Sequence, residues 1–160
     1  MLSSVEIQKH ISANFKEQFR HSFSQLNNTS IGSPCPVFDQ NKVQKYWLIP
    51  FLLKSKVRGS AIFDVNGKLV KHGVLYPNMQ DENKLIDKEY FEKVPEKLLN
   101  EVRNFYKDFE IESNFFSYDQ TPQKWGWLIC LKNEHSKNSV NVFIGPSGWY
   151  EKRTQNGLEG

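Results

Sequence analysis

The sequence predicts an α+β protein made of two similar helix-plus-antiparallel-sheet units in one compact chain. Three observations predict it. Trp47-Leu48-Ile49 recurs 80 positions later as Trp127-Leu128-Ile129, and Phe63 recurs as Phe143 at the same offset. A segment with helical apolar spacing precedes each copy. A Gly-containing turn follows each second strand. The units are expected at residues 1–76 and 95–157, with 77–94 as a linker and 158–160 as a tail.

The first helix starts at a capping box, Ser3 with Glu6. Ile7, Ile11, Phe15, Phe19 and Phe23 then fall four apart, and Leu26 extends the stripe. Asn27-Asn28 ends it. Ile31 to Pro36 reads as a loop, since neither Pro34 nor Pro36 suits a central strand. Val37-Phe38 reads as the start of a short strand. Lys45 to Leu53 is apolar on both faces and reads as a central strand, with Pro50 implying a bulge or a missing ladder bond. Lys54 to Gly59 reads as a solvated turn. Ser60 to Val65 and Lys68 to Leu75 read as a hairpin around Asn66-Gly67, the type I′ signal.

The second unit follows a polar crossing segment. Asp87 to Phe91 reads as a helical turn. Pro95 opens a helix whose apolar face is Leu98, Val102, Phe105 and Phe109, widened by Leu99 and Tyr106. Ile111–Tyr118, Lys124–Lys132, Ser139–Ile144 and Trp149–Arg153 read as strands. Polar residues 133–138 and the loop Gly145-Pro146-Ser147-Gly148 separate the later ones.

A helix on an antiparallel meander is the logic of the cystatin-like folds. The units resemble the PepSY type of that group in Tyr46-Trp47-Leu48-Ile49, in Asp64-Val65-Asn66-Gly67, and in Trp127-Leu128-Ile129 with Gly148. The second unit departs from the pattern in lacking an Asp before its turn. The resemblance implies a shared architecture and no particular activity, because a fold hosts many functions.

Composition narrows the function classes. Apolar residues make up only 38% of the 160, but the 12 Phe, 6 Tyr and 4 Trp supply a core. Each can remove roughly 150–250 Å² from water. The net charge of +3 is scattered and does not mark a nucleic-acid binder. The N-terminus has neither a basic nor an apolar signal region, and no apolar run reaches membrane-spanning length. A cytoplasmic protein is expected, with Cys35 and Cys130 reduced; a bridge between them is the alternative.

No motif commits the chain to chemistry. The histidines His10, His21, His72 and His135 lack metal-ligand spacing. Cys35 has no helix N-terminus or basic neighbour to activate it, and Cys130 reads as a core residue. Gly145 to Gly148 lacks the Lys of a phosphate loop. The acids between Asp81 and Glu92 alternate with lysines, as on a solvated face. No catalytic residue, metal or cofactor is therefore expected.

The aromatic excess points elsewhere. Trp125 and Trp127 share a face, and Trp149 and Tyr150 face opposite ways. The expected function is non-enzymatic binding of a protein or peptide through an aromatic sheet surface or an edge strand. Trp125, Trp149 and Tyr150 are the candidate partner-binding residues. A homodimer through exposed edges is a further expectation, and no membrane partner is expected. One alternative is a small-molecule binder or enzyme with a pocket between helix and sheet, where Tyr46 and His72 are candidate polar residues. A weak nucleic-acid binder is the other, with Lys54, Lys56 and Arg58 as a candidate anion site.

Overall fold

Ser3 and Glu6 meet as their spacing requires. The Glu6 N–H donates to Ser3 Oγ at 3.2 Å, and the Ser3 N–H donates to the Glu6 carboxylate at 3.4 Å. The computed structural model describes residues 1–15, 28–74, 86–146 and 148–152. Within them lie two α-helices and two antiparallel sheets, an α+β arrangement. The chain divides into two compact units, residues 1–37 with 44–92 and residues 38–43 with 93–160. No helix among the described residues is long and apolar enough to cross a membrane.

In the first unit α1 (Ser4–Phe15) lays Ile7 and Ile11 on a core of Trp47, Ile49, Phe51, Ala61 and Phe63. The side chains of Phe15, Phe19, Phe23 and Leu26, the rest of the expected stripe, lie outside the described residues. The strands are β1 (Ser30–Ile31), β2 (Cys35–Phe38), β3 (Gln44–Leu53), β4 (Lys56–Asp64) and β5 (Leu69–Val74). Their order is β1-β3-β4-β5, with β2 also paired to β3. Pro36 thus sits on an outer strand, where a missing N–H costs no central ladder bond. β3 is central, with Leu48 and Ile49 on opposite faces and both fully buried. A bulge between Phe51 and Leu52 follows Pro50 directly.

Two turn expectations are corrected. Asn66-Gly67 does not form the two-residue type I′ turn, which needs positive φ at both residues. Only Gly67 has positive φ, at 91°. The Asp64 carboxylate instead accepts the N–H groups of Asn66 and Lys68, each at 2.9 Å. This side-chain bonding holds a longer loop that ends in one left-handed residue. Asp39 does the same for Asn41 and Val43, with Lys42 as the left-handed residue. The turn expected over residues 54–59 shrinks to Lys54-Ser55. β4 already runs from Lys56 because Val57 is fully buried and its N–H donates to Ile86 O. A 3-10 turn, Lys88–Phe91, then buries Tyr90.

The second unit comprises α2 (Glu96–Phe105), β6 (Phe109–Asp119), β7 (Thr121–Asn133), β8 (Ser139–Gly145) and β9 (Gly148–Lys152). The four strands form one sheet in the order β6-β7-β8-β9. The helical spacing that extended to Phe109 is overruled. The Tyr106 N–H closes on Val102 O, and the Phe109 N–H turns back to Tyr106 O. From Phe109 the pattern Phe-Glu-Ile-Glu alternates and enters β6. The 80-residue offset is not kept in the pairing. Trp47 stands opposite Phe63, whereas Trp127 stands opposite Ile144 and Phe143 stands opposite Leu128.

Candidate functional site

α2 buries Val102 completely, with Leu98, Leu99 and Tyr106 half-buried around it. At about 100° per residue these four centre the apolar stripe. Phe105 falls on its margin, next to Glu101. The Phe105 side chain is 70% exposed, an unusual position for a phenyl ring in a helix that packs on a sheet.

β9 supplies the other half of this surface. Trp149 stands opposite Ile144, which is fully buried, and projects towards α2. Its ring centroid lies 5.6 Å from Phe105 and 6.3 Å from Tyr106. Phe105 and Tyr106 are 4.9 Å apart, and Tyr106 meets Phe109 edge-on at 5.5 Å. These separations are those of mutually packed rings.

Two carboxylates tie the cluster down. The Trp149 Nε1–H donates to Glu101 Oε2 at 3.2 Å, and the Tyr106 hydroxyl donates to Glu151 Oε1 at 2.8 Å. Burial, then the Glu151 hydrogen bond and charge, push the Tyr106 hydroxyl pKa up to about 12. Neither carboxylate has a cationic partner within ion-pair distance among the described residues. The result is a packed aromatic surface with two carboxylates built into its edge.

Of the residues selected from sequence, only Trp149 belongs to this surface. Trp125 is 4% exposed and stacks on Phe116 at 6.0 Å. Tyr150 is 40% exposed, but it lies on the opposite face of the sheet, where its hydroxyl donates to Asp119. Phe105, Tyr106, Glu101 and Glu151 were not singled out as site residues. Four aromatic positions at 105, 106, 109 and 149 signal a cluster only once α2 is known to stop at Phe105.

The cationic trio is dispersed in role. Lys54 occupies the turn with φ of 57°. Lys56 is engaged by Asp87 at 2.8 Å. Arg58 is half-buried, and its Nε makes no hydrogen bond among the described residues. Tyr46 and His72 are half-buried on β3 and β5.

A cavity of about 370 Å³ lies in the first unit between α1, the 31–36 segment, β3 and the 3-10 turn. Its walls include Gln8, Pro34, Pro36, Pro50, Lys88 and Phe91; neither Tyr46 nor His72 lines it. Cys35 also reaches it as a buried free thiol, 3.9 Å from the Phe91 carbonyl. Burial pushes that thiol's pKa up to about 12, so it carries no thiolate near neutral pH. Cys130 is likewise a free thiol. The described residues contain no group of three or more His, Cys, Asp or Glu able to hold a metal.

Comparison of the chain with models of known families, with curated proteins and with solved structures returned no match.

Proposed function

We propose that this chain is a non-enzymatic binding protein that holds a protein or peptide partner on the α2–β9 face. The observation that carries the reading is Phe105. A phenyl ring 70% in water is held in one orientation by Trp149 and Tyr106, and those rings are anchored by Glu101 and Glu151. A rigid aromatic anchor loses little conformational freedom when a partner covers it, the usual property of a binding hot spot. The two units are read as copies of one cystatin-like plan. The helix followed by an antiparallel strand path in each supports that reading, although the strand pairing differs by one residue between them. Both free thiols suit a reducing, cytoplasmic setting.

The test is affinity recovery of a partner from native extract by the tagged protein, repeated with Phe105→Ser and Trp149→Ala. Each variant is expected to lose the partner while keeping its fold. Retention of the partner by both variants removes this face from the function.

A second reading rests on the cavity in the first unit. Its proline and phenylalanine walls beside Gln8 and Lys88 suit a small ligand with an apolar body and a polar end. A ligand-library thermal-shift screen checks it: a specific stabiliser lost in Pro50→Phe supports the pocket.

A further inference from the structure

We infer that the partner places an arginine side chain on the α2–β9 face, its guanidinium plane lying on the Phe105 ring between Glu101 and Glu151. The inference rests on the binding role proposed for that face and adds the chemistry of what is bound.

The argument starts from charge. Trp149 and Tyr106 each use one oxygen of a carboxylate, Glu101 Oε2 and Glu151 Oε1. The second oxygen of each acid makes no hydrogen bond or ion pair among the described residues, and both residues are exposed. Any partner that covers Phe105 also removes water from these two acids. An apolar or acidic partner would leave two carboxylates desolvated without a counter-charge, which is strongly unfavourable. A partner with a cation turns the same burial into charge-assisted hydrogen bonds.

The aromatic surface selects which cation. Lys97, one turn before Glu101, is exposed and forms no ion pair with it among the described residues. Among the described residues no cation forms an ion pair with either Glu101 or Glu151. Phe105 presents an open ring face, and a guanidinium is planar, weakly hydrated and able to stack on it. Its five N–H donors then point outwards from the ring, free to meet the carboxylates that Trp149 and Tyr106 hold beside it. An ammonium has neither the plane nor the fork.

The experiment is an NMR titration of ¹⁵N-labelled protein, read at the Trp149 indole N–H, which donates to Glu101. The probes are Ac-Gly-Arg-Gly-NH2, the same peptide with Lys, and the same peptide with citrulline, the uncharged isostere of Arg. The arginine peptide is expected to shift the Trp149 resonance saturably, the lysine peptide to bind several-fold more weakly, and the citrulline peptide to leave it unmoved. The double variant Glu101→Gln, Glu151→Gln keeps an acceptor for each ring donor and is expected to weaken the arginine peptide at least tenfold. An arginine peptide that does not shift Trp149, a citrulline peptide that binds equally, or a double variant that binds like the parent overturns the inference. A recovered partner that needs Phe105 but tolerates both Gln substitutions would overturn the arginine and leave the face in place. A partner indifferent to Phe105→Ser would remove the face itself.

Discussion

The Tyr150 hydroxyl donates a hydrogen bond to Asp119, joining the last strand of the second sheet to the end of its first. Laid flat, β6 and β9 would stand about 14 Å apart at the usual strand spacing. The two side chains span that gap across the face of the sheet, with the Tyr150 ring packed 5.6 Å from that of Phe143. Asp119 is 7% exposed, and its other oxygen meets Lys152 at 3.7 Å. Tyr150→Phe keeps the ring on Phe143 but leaves a buried carboxylate short of one donor. That loss is expected to cost about 1–3 kcal/mol. Urea unfolding checks it, and a midpoint equal to the parent's would show that the tie adds nothing.

That contact and the Tyr106–Glu151 hydrogen bond set a dependence on alkaline pH. The ordinary tyrosine pKa is about 10. Tyr106 is raised to about 12, and Tyr150 is raised as well, by burial and then by its Asp119 hydrogen bond and charge. Below the unfolded value both states hold these protons, and the folded state keeps its full advantage. Above it the unfolded chain releases protons that the folded chain retains, so stability falls as pH rises from about 10 through the folded pKa values. Phenolate absorbance of the folded protein is expected to show a late-ionising component. Tyr106→Phe and Tyr150→Phe should each remove one tyrosine's worth of it. A titration unchanged by either substitution would contradict the hydrogen bonds that hold them.

Cys35 is expected to be inert while the chain is folded. Its sulfur is buried among prolines and faces two main-chain carbonyls, Pro36 at 3.7 Å and Phe91 at 3.9 Å. Carbonyl oxygens favour the thiol and disfavour its anion, and the thiolate is the nucleophile. Iodoacetamide at pH about 8 should leave Cys35 unmodified in buffer and alkylate it in concentrated urea, as read by peptide mass spectrometry. Rapid labelling of the folded protein would place the thiol somewhere other than this wall.

Much of the scaffold was legible because single residue types dictate local geometry. Ser3 and Glu6 announced the start of α1, whereas Pro36 excluded only a central strand, and the loop expected over Ile31 to Pro36 gives way to β2 from Cys35. The doubly apolar run around Trp47 announced the centre of a sheet. The Asn66-Gly67 turn was misread because the deciding group lies two residues earlier, in the Asp64 carboxylate. The site was hidden for a different reason. Phe105 and Phe109 share a helical face only if the helix continues, and one broken turn at Tyr106 sends one ring outwards and the other into a strand. Spacing along the chain does not report that break. Nor does it report that Trp149 and Glu101, 48 residues apart, share a hydrogen bond.

Two strand glycines carry opposite expectations that only packing distinguishes. Gly126 in β7 lies beneath the Phe143 ring. A Cβ added there would come within 2.8 Å of that ring and would collide with the Ile144 carbonyl oxygen. Ile144 is fully buried in a paired strand, so its carbonyl cannot swing aside as a side-chain tip could. Gly73 in β5 has nothing within 4 Å of the same added atom, and its φ lies outside the left-handed range. Gly126→Ala is therefore expected to destabilise by about 1–3 kcal/mol through overpacking. Gly73→Ala should be neutral or stabilise by about 0.4–1 kcal/mol, because alanine restricts the unfolded chain. Thermal unfolding of the two variants side by side checks both. Equal shifts would mean that β7 and β8 approach less closely than the Gly126–Phe143 contact requires.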